Sequence, residues 1–181
     1  MFLSDSDIKK ELTAGNITIS DFQEERLQQV SYDILLGNKF QTMKSYKMTA
    51  VDPARGIFPE THEIEVPDGE EFVLHPGKTV LGTSKDYFGS DAYLIQLSGK
   101  SSLARIGLVV HNTAGIVNPG HFLNITFELY NAGKIPIILR PGMEVAQILF
   151  SQISSDLEKN YKDTGRFNGD NWKKNFNHDN K

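Results

Sequence analysis

The 181-residue chain contains no cysteine, so disulfide bridges and thiolate metal sites are excluded. It also lacks an excess of basic residues. Lys and Arg number 19 against 23 Asp and Glu, the two signs are interleaved, and the formal net charge is −4 at pH 7. No basic stripe can therefore follow a nucleic-acid backbone, and we expect no nucleic-acid partner. A free nucleotide is a different kind of ligand, because a few local cations suffice to hold its phosphates.

Long apolar runs are absent as well. No run approaches the roughly 20 residues that span a membrane. Residues 1–5 lack the basic and apolar regions of a secretory signal. We therefore expect no membrane contact and a cytoplasmic location. The length allows a substantial core, and no break in composition divides the chain, which predicts one compact domain.

The residue pattern predicts one short helix followed mostly by strands. Ser4 and Asp7 resemble a capping box, Ile8 and Leu12 share a helix face, and Gly15 suits the helix stop. Strand-like runs separated by turn residues follow at 32–36, 63–66, 71–74, 79–83, 93–97, 108–111, 125–130, 135–139 and 144–150. This spacing predicts an all-β barrel or jelly roll. Periodicity fails over residues 42–59, which predicts a loop there.

The segment 100–128 is the most informative part of the chain. It carries charged and hydroxyl side chains among apolar strands, where burying an unpaired polar group costs roughly 2–7 kcal/mol. Such residues are usually kept for a ligand. Ser101 and Ser102 are predicted to cap a short turn whose N–H groups and hydroxyls can hold phosphate oxygens, with Lys100 and Arg105 beside it. Serine pairs also cap ordinary helices, so the residues alone leave both readings open.

Several motifs stand in the order and spacing found in the dCTP deaminase family of the dUTPase-like superfamily. They cover residues 3–8, 31–40, 100–105, 111–115, 117–120, 126–131 and 141–147. The chain resembles that family over almost its whole length, apart from residues 42–63 and the segment after 151. The resemblance implies a mainly β, dUTPase-like distorted jelly roll or barrel with a short N-terminal helix. It also implies a nucleotide-binding catalytic domain over 1–160 and a flexible tail over 161–181 that closes over the nucleotide.

Glu128 is the candidate proton carrier. It alternates with the apolar residues Phe127 and Leu129, so its side chain either meets solvent or lines a pocket. It aligns with the catalytic glutamate of the family that the chain resembles. Deamination of cytosine needs water at C4, a proton on N3 and a proton for the departing ammonia, and one carboxyl group can relay all three. By the same resemblance, Ser101 orients water and substrate, and Arg105 reaches the catalytic centre of a neighbouring subunit.

The resemblance further implies dCTP as substrate, dUTP or dTTP as product or inhibitor, and a homotrimer whose sites draw on adjacent subunits. Backbone groups at 113–115 and 126–127 are expected to select the pyrimidine. His111 is a candidate to support this pocket, but a lone histidine on a strand is more often structural. Tyr161 could equally anchor the tail. The positions that match nucleotide contacts are Lys100, Ser101, Ser102, Leu103, Ala104, Arg105, His111, Ala114, Asn118, Thr126, Phe127, Glu128, Gln147, Tyr161, Arg166 and Asp170.

A zinc-dependent deaminase does not fit this sequence. Zinc deaminases use His-x-Glu and Pro-Cys-x-x-Cys ligand motifs, whereas this chain has no cysteine and five scattered histidines. We therefore predict a zinc-independent hydrolase without metal ligands of its own. Magnesium is expected to bind through the nucleotide triphosphate.

Two departures from the family pattern bear on the product. Asn118 stands where the family has aspartate, and an amide can hydrogen-bond a sugar hydroxyl but cannot act as a base. In the tail, Arg166 replaces a lysine, and Asp170 stands where glutamine is usual. Asp170 would face phosphate with the wrong charge, and magnesium could bridge such a pair. We predict dUTP and ammonia as products, supplying uracil nucleotide for thymidylate synthesis. Two alternatives stay open: a bifunctional dUMP-forming enzyme, favoured by Gly115, and a catalytically lapsed nucleotide-binding regulator.

Overall fold

A computed structural model describes residues 1–44, 46 and 48–165. The predicted N-terminal helix is present as α1, Asp5–Thr13. The Ser4 hydroxyl accepts a hydrogen bond from the Asp7 backbone N–H at 3.3 Å, and Ile8 is fully buried. Gly15 follows at φ 78°, in the left-handed region that favours glycine. The capped amphipathic helix predicted from sequence is therefore confirmed.

Strands make up most of the regular structure described after α1. They are β1 (Ile17–Ile19), β2 (Tyr32–Met43), β3 (Thr61–Glu65), β4 (Phe72–Leu74), β5 (Thr79–Ser90), β6 (Tyr93–Gly99), β7 (Leu108–Val109), β8 (Ile116–Val117), β9 (Leu123–Asn131), β10 (Ile137–Leu139) and β11 (Glu144–Gln152). Two further short α-helices are α2 (Ser101–Ala104) and α3 (Tyr161–Thr164), and single 3-10 turns cover Glu24–Arg26 and Pro53–Arg55. None of the described helices is long and apolar enough to cross a membrane.

Nine of these strands form one antiparallel sheet. Its order is β7-β9-β5-β2-β11-β6-β8, with β1 added beside β5 and β3 beside β2. β4 and β10 form a separate two-stranded sheet. Inward-facing side chains such as Tyr32, Ile34 and Phe127 are fully buried in the hydrophobic core. The mainly β architecture predicted from sequence is confirmed.

Several strand limits differ from the sequence prediction. β2 continues to Met43 and β5 to Ser90, whereas β1 and β8 were not predicted. The second half of β2 lacks a clear alternation of apolar and polar residues but pairs with β3 from Lys39 onward. A strand can extend wherever a partner satisfies its backbone groups, because the ladder hydrogen bonds do not depend on side-chain pattern. Within the predicted loop, the 3-10 turn Pro53–Arg55 lies inside a β-bridge between Asp52 and Ile57.

Candidate functional site

Glu128 lies on β9 with its side chain directed away from the core. Its neighbours Phe127 and Leu129 are fully buried, whereas Glu128 is partly exposed. The Glu128 carboxylate oxygen Oε2 accepts a hydrogen bond from the Asn112 backbone N–H at 2.8 Å, and the Glu128 N–H donates to the Val110 carbonyl at 3.0 Å. The predicted alternation is confirmed, and the carboxylate is held beside the loop that follows β7.

That loop, residues 111–115, links Glu128 to β6. At its far end the Leu97 N–H donates to the Gly115 carbonyl at 2.7 Å, and β8 then pairs with β6. A Cβ at Gly115 would lie 3.0 Å from His111 Cε1 and 3.2 Å from its Nδ1. The His111 Nδ1 is buried and has no hydrogen-bond partner among the described residues. A larger residue at position 115 would therefore displace the imidazole, while Ala114 stays exposed at the surface of the loop.

The predicted serine turn is helix α2, which follows β6 directly. Lys100 has extended backbone dihedrals and is the N-cap, and its carbonyl accepts the N–H groups of Leu103 and Ala104. Ser101 and Ser102 are therefore the first helical residues and not the caps, which corrects the sequence prediction. Both are exposed, so their hydroxyls are not buried among strands as the sequence suggested.

Arg105 ends this turn and is exposed within the protomer. In the described part of the chain, no hydrogen bond or ion pair joins Arg105, Ser101 or Ser102 to Glu128. One protomer therefore does not by itself join the three predicted catalytic side chains through hydrogen bonds or ion pairs. The contribution of Arg105 to a neighbouring subunit stays a prediction.

Lys100 is paired with two carboxylates. Its Nζ lies 2.8 Å from Asp33 Oδ2 and 2.5 Å from Glu144 Oε2. Burial alone would lower the pKa of the Lys100 ammonium, but the hydrogen bonds and negative charges of Asp33 and Glu144 outweigh it and raise the pKa above its ordinary value. Sequence reasoning missed Asp33. The available signal was a carboxylate inside the apolar run 32–36, where an acidic residue is rarely buried without a partner.

A cleft of about 400 Å³ opens beside α2. Gln147, a predicted nucleotide contact, lies in its wall. Its Oε1 accepts a hydrogen bond from the Ser31 hydroxyl at 2.8 Å, and its Nε2 lies 3.4 Å from the Gly99 carbonyl. The cleft is lined by Gln28, Gln29, Val30, Ser31, Asp33, Lys100, Ser101, Ser102 and Gln147. A larger cleft of about 690 Å³ lies elsewhere, between 91–93 and 152–160, and none of the predicted site residues lines it.

The remaining predicted residues differ in how far they are exposed. Thr126 and Asn118 are exposed, and Leu103 packs partly buried against the core. The Phe127 side chain is fully buried, so only its backbone can meet a ligand, as the sequence analysis expected. Tyr161 opens α3 and stacks on His121. Arg166 and Asp170 lie outside the described residues.

A model of the family described as dCTP deaminase-like matches residues 2–153. The chain belongs to the dCTP deaminase-like family. It is 43% identical over 162 residues to a protein of Corynebacterium glutamicum named "dCTP deaminase, dUMP-forming", an alignment that covers 89% of this chain and 86% of the relative. A protein of Mycobacterium leprae with the same name is 41% identical over 162 residues, with coverage of 89% and 85%.

The structural comparison concerns the fold. The crystal structure of 2′-deoxycytidine 5′-triphosphate deaminase from Agrobacterium tumefaciens aligns with a TM-score of 0.63 and 19% identity. The alignment covers 82% of this chain, which spans just under half, 46%, of that structure's chain. The protein therefore shares the mainly β fold of that deaminase, as its motifs imply.

In the described ranges, no group of three His, Asp or Glu side chains could hold a metal ion.

Proposed function

We propose that the protein is a dCTP deaminase in which Glu128 relays protons. The observation that carries this proposal is the Glu128 carboxylate on the outer face of β9, fixed through Oε2 by the Asn112 N–H. The hydrogen bond orients one oxygen and leaves Oε1 to exchange protons with water and base. The family membership and the names of the relatives support dCTP as the substrate.

The chemistry requires water to add to C4 of the cytosine ring. Glu128 takes a proton from that water as the C–O bond forms and delivers it to N3. It then takes the proton of the new C4 hydroxyl and passes it to the amine, so that the C4 carbonyl forms as the C–N bond breaks. The balanced result is a uracil ring and ammonia. Because the 111–115 loop adjoins the carboxylate, its backbone groups are suited to read the donor and acceptor pattern at N3 and C4.

Phosphate binding is assigned to the start of α2. Ser101 and Ser102 present exposed hydroxyls and N-terminal backbone groups, which suit phosphate oxygens. Arg105 is exposed and makes no hydrogen bond or ion pair with Glu128 in the described protomer, which supports a homotrimer in which Arg105 serves a neighbouring site. Magnesium bound through the triphosphate, closure of the tail 161–181 and a cytoplasmic location stay predictions.

We propose dUMP as the end product. Relatives about 40% identical over most of this chain carry the name "dCTP deaminase, dUMP-forming", and Gly115 resembles that branch. The sequence expectation of dUTP finds no support in these names. A specific observation nevertheless favours dUTP as the second candidate. Asn118 is exposed, and its amide cannot activate a water for attack on the α-phosphate.

Product analysis tests the proposal. Purified protein is incubated with dCTP and magnesium, and dUTP, dUMP, ammonia and pyrophosphate are quantified. We expect equal amounts of ammonia, dUMP and pyrophosphate. Ammonia with accumulating dUTP would make the second candidate correct, and Asn118→Asp should then increase dUMP formation. Nucleotide binding without ammonia would identify a catalytically lapsed regulator.

A further inference from the structure

Three adjacent strands bring Asp33 close to the start of α2. Asp33 on β2 opposes Gln147 on β11, and Gln147 opposes Ser98 on β6. Asp33 and Ser98 are therefore two strand spacings apart, about 10 Å. Lys100 follows β6 and spans this gap, because its flexible stem places Nζ 2.8 Å from Asp33 Oδ2. The ion pair connects the serine turn to the centre of the sheet.

Asp33 is buried although its neighbours Tyr32 and Ile34 occupy the core face of the same strand. Only 3% of Asp33 is exposed. Its Oδ2 accepts a hydrogen bond from Gln28 Nε2 at 3.1 Å and also receives the Lys100 ammonium. A buried carboxylate without such partners is strongly unfavourable, since neither water nor another cation replaces them. The Asp33–Lys100 pair is therefore costly to separate.

Glu144 differs from Asp33 in exposure. The Glu144 side chain is 44% exposed, whereas that of Asp33 is 5% exposed. Lys100 and its two carboxylates carry a formal charge of −1 together, which disfavours a polyanion at the adjoining α2 turn. Water can solvate Glu144 if it leaves Lys100, but it cannot reach Asp33 to the same extent. An incoming phosphate will therefore displace Glu144 and leave Asp33 in place.

We propose that Asp33 is a positioning residue that holds Lys100 at the phosphate end of the site, and that Glu144 is the counter-ion that an incoming phosphate replaces on Lys100. The inference rests on the proposed function, because it takes the α2 turn as the place where a nucleotide triphosphate binds. It assigns opposite effects to two carboxylates that contact the same ammonium. Removing Asp33 weakens triphosphate binding, and removing Glu144 strengthens it.

The test measures the affinities of dCTP, dCMP and deoxycytidine in a Glu128→Gln background, so that the substrate is not consumed. Asp33→Asn is expected to weaken dCTP binding about tenfold, the order expected for a charge-assisted contact, and to leave deoxycytidine binding unchanged. Glu144→Gln is expected to strengthen dCTP binding severalfold. Glu63→Gln on β3 is the matched control, because it changes the net charge equally at an exposed position away from α2.

Three outcomes would overturn the inference. These are unchanged dCTP affinity in Glu144→Gln, the same gain in Glu63→Gln, and an equal loss for dCTP and deoxycytidine in Asp33→Asn. If Asp33→Asn does not fold, Asp33→Asn/Lys100→Met removes both charges and should bind dCTP as Lys100→Met does. Any further loss in that double variant would also contradict the positioning role. Ammonia release by the unmodified protein is measured separately, so failure of the proposed activity is distinguished from failure of this inference.

Discussion

The ring of Tyr161 stacks on the ring of His121, with centroids 4.2 Å apart and planes inclined by 19°. The contact docks α3 on the turn that follows β8. Asn160 packs so closely on Gly120 that a Cβ there would overlap its side chain, and Lys162 Nζ lies 2.7 Å from Asp91. Of the two roles that the sequence left open for Tyr161, an anchor for the C-terminal segment is the one seen in this structure. Its nucleotide contact stays a prediction.

Tyr161→Ala should release α3 from the His121 turn, because the stacking area is lost. We expect faster proteolysis after residue 160 and little change in the melting temperature of the domain. Tyr161→Phe is the control, since its ring can stack in the same way. Equal protease resistance in Tyr161→Ala and the unmodified protein would show that the stack does not hold the segment.

Glu128→Gln should lower kcat for ammonia release by about 10² to 10⁴, the usual contribution of a positioned acid or base. The amide is nearly isosteric and its oxygen can still accept the Asn112 N–H, so fold and dCTP binding should persist. Circular dichroism and binding titration check both. Glu63→Gln on β3 makes the same substitution at an exposed position outside the site and is the control for a nonspecific change. Near-normal turnover in Glu128→Gln would remove Glu128 from the mechanism.

Ser102→Ala and Arg105→Ala should affect different kinetic constants. Ser102→Ala is expected mainly to raise KM, because the hydroxyl binds phosphate in the ground state, whereas Arg105→Ala should mainly lower kcat. Equal effects on both constants would mean that the roles are wrongly divided.

Subunit mixing tests whether Arg105 acts across an interface. Inactive Arg105→Ala and Glu128→Gln proteins, mixed in equal amounts and reassembled, should recover about a quarter of the activity by random assortment if each site takes the two residues from different subunits. Two Glu128-site variants, Glu128→Gln and Glu128→Ala, provide the control mixture, which should stay inactive. The absence of recovery in a mixture shown by mass spectrometry to contain hybrid trimers would place both residues in one subunit.

Removing one charge of the buried Arg26–Asp86 ion pair should lower the stability of the protein more than removing an exposed charge. The two side chains are 5% and 2% exposed, and Arg26 Nε also donates to the Asp33 carbonyl at 3.1 Å. Asp86→Asn leaves a buried cation and should lower the free energy of unfolding by about 3–5 kcal/mol. Urea denaturation at fixed protein concentration measures it. Arg26→Met/Asp86→Leu should recover much of the loss, and a double variant as unstable as Asp86→Asn would contradict this account.

Stability should decline in alkaline solution partly through Lys100. Its pKa is raised in the folded state, because the Asp33 and Glu144 interactions outweigh burial. The corresponding stabilisation is complete below the unfolded pKa, about 10.4, and is lost as the pH rises through the folded value. Unfolding free energies measured between pH 8 and 11 should fall less steeply in Lys100→Met. Burial also raises the pKa of Tyr32, with the same sign, so Tyr32→Phe separates the two contributions.

Local sequence patterns were sufficient to predict several features of the structure. The Ser4 cap, the Ile8 face and the Gly15 stop of α1 depend on residues within a few positions of one another. The outward orientation of Glu128 followed from alternation along one strand. Family motifs spread between residues 3 and 147 also predicted the mainly β fold. These features need no knowledge of which distant segments meet.

Only the tertiary structure decided the partners of the functional side chains. Lys100 was predicted to face phosphate, yet pairing of β2, β11 and β6 brings it to Asp33 and Glu144. Likewise, Tyr161 meets His121 because α3 folds back on a turn far away along the chain. Sequence by itself determined the N-terminal helix, most of the strands and the family, since these depend on residue type and local spacing. Charge pairing and burial depend on distances between strands remote in sequence, which only the folded chain brings together.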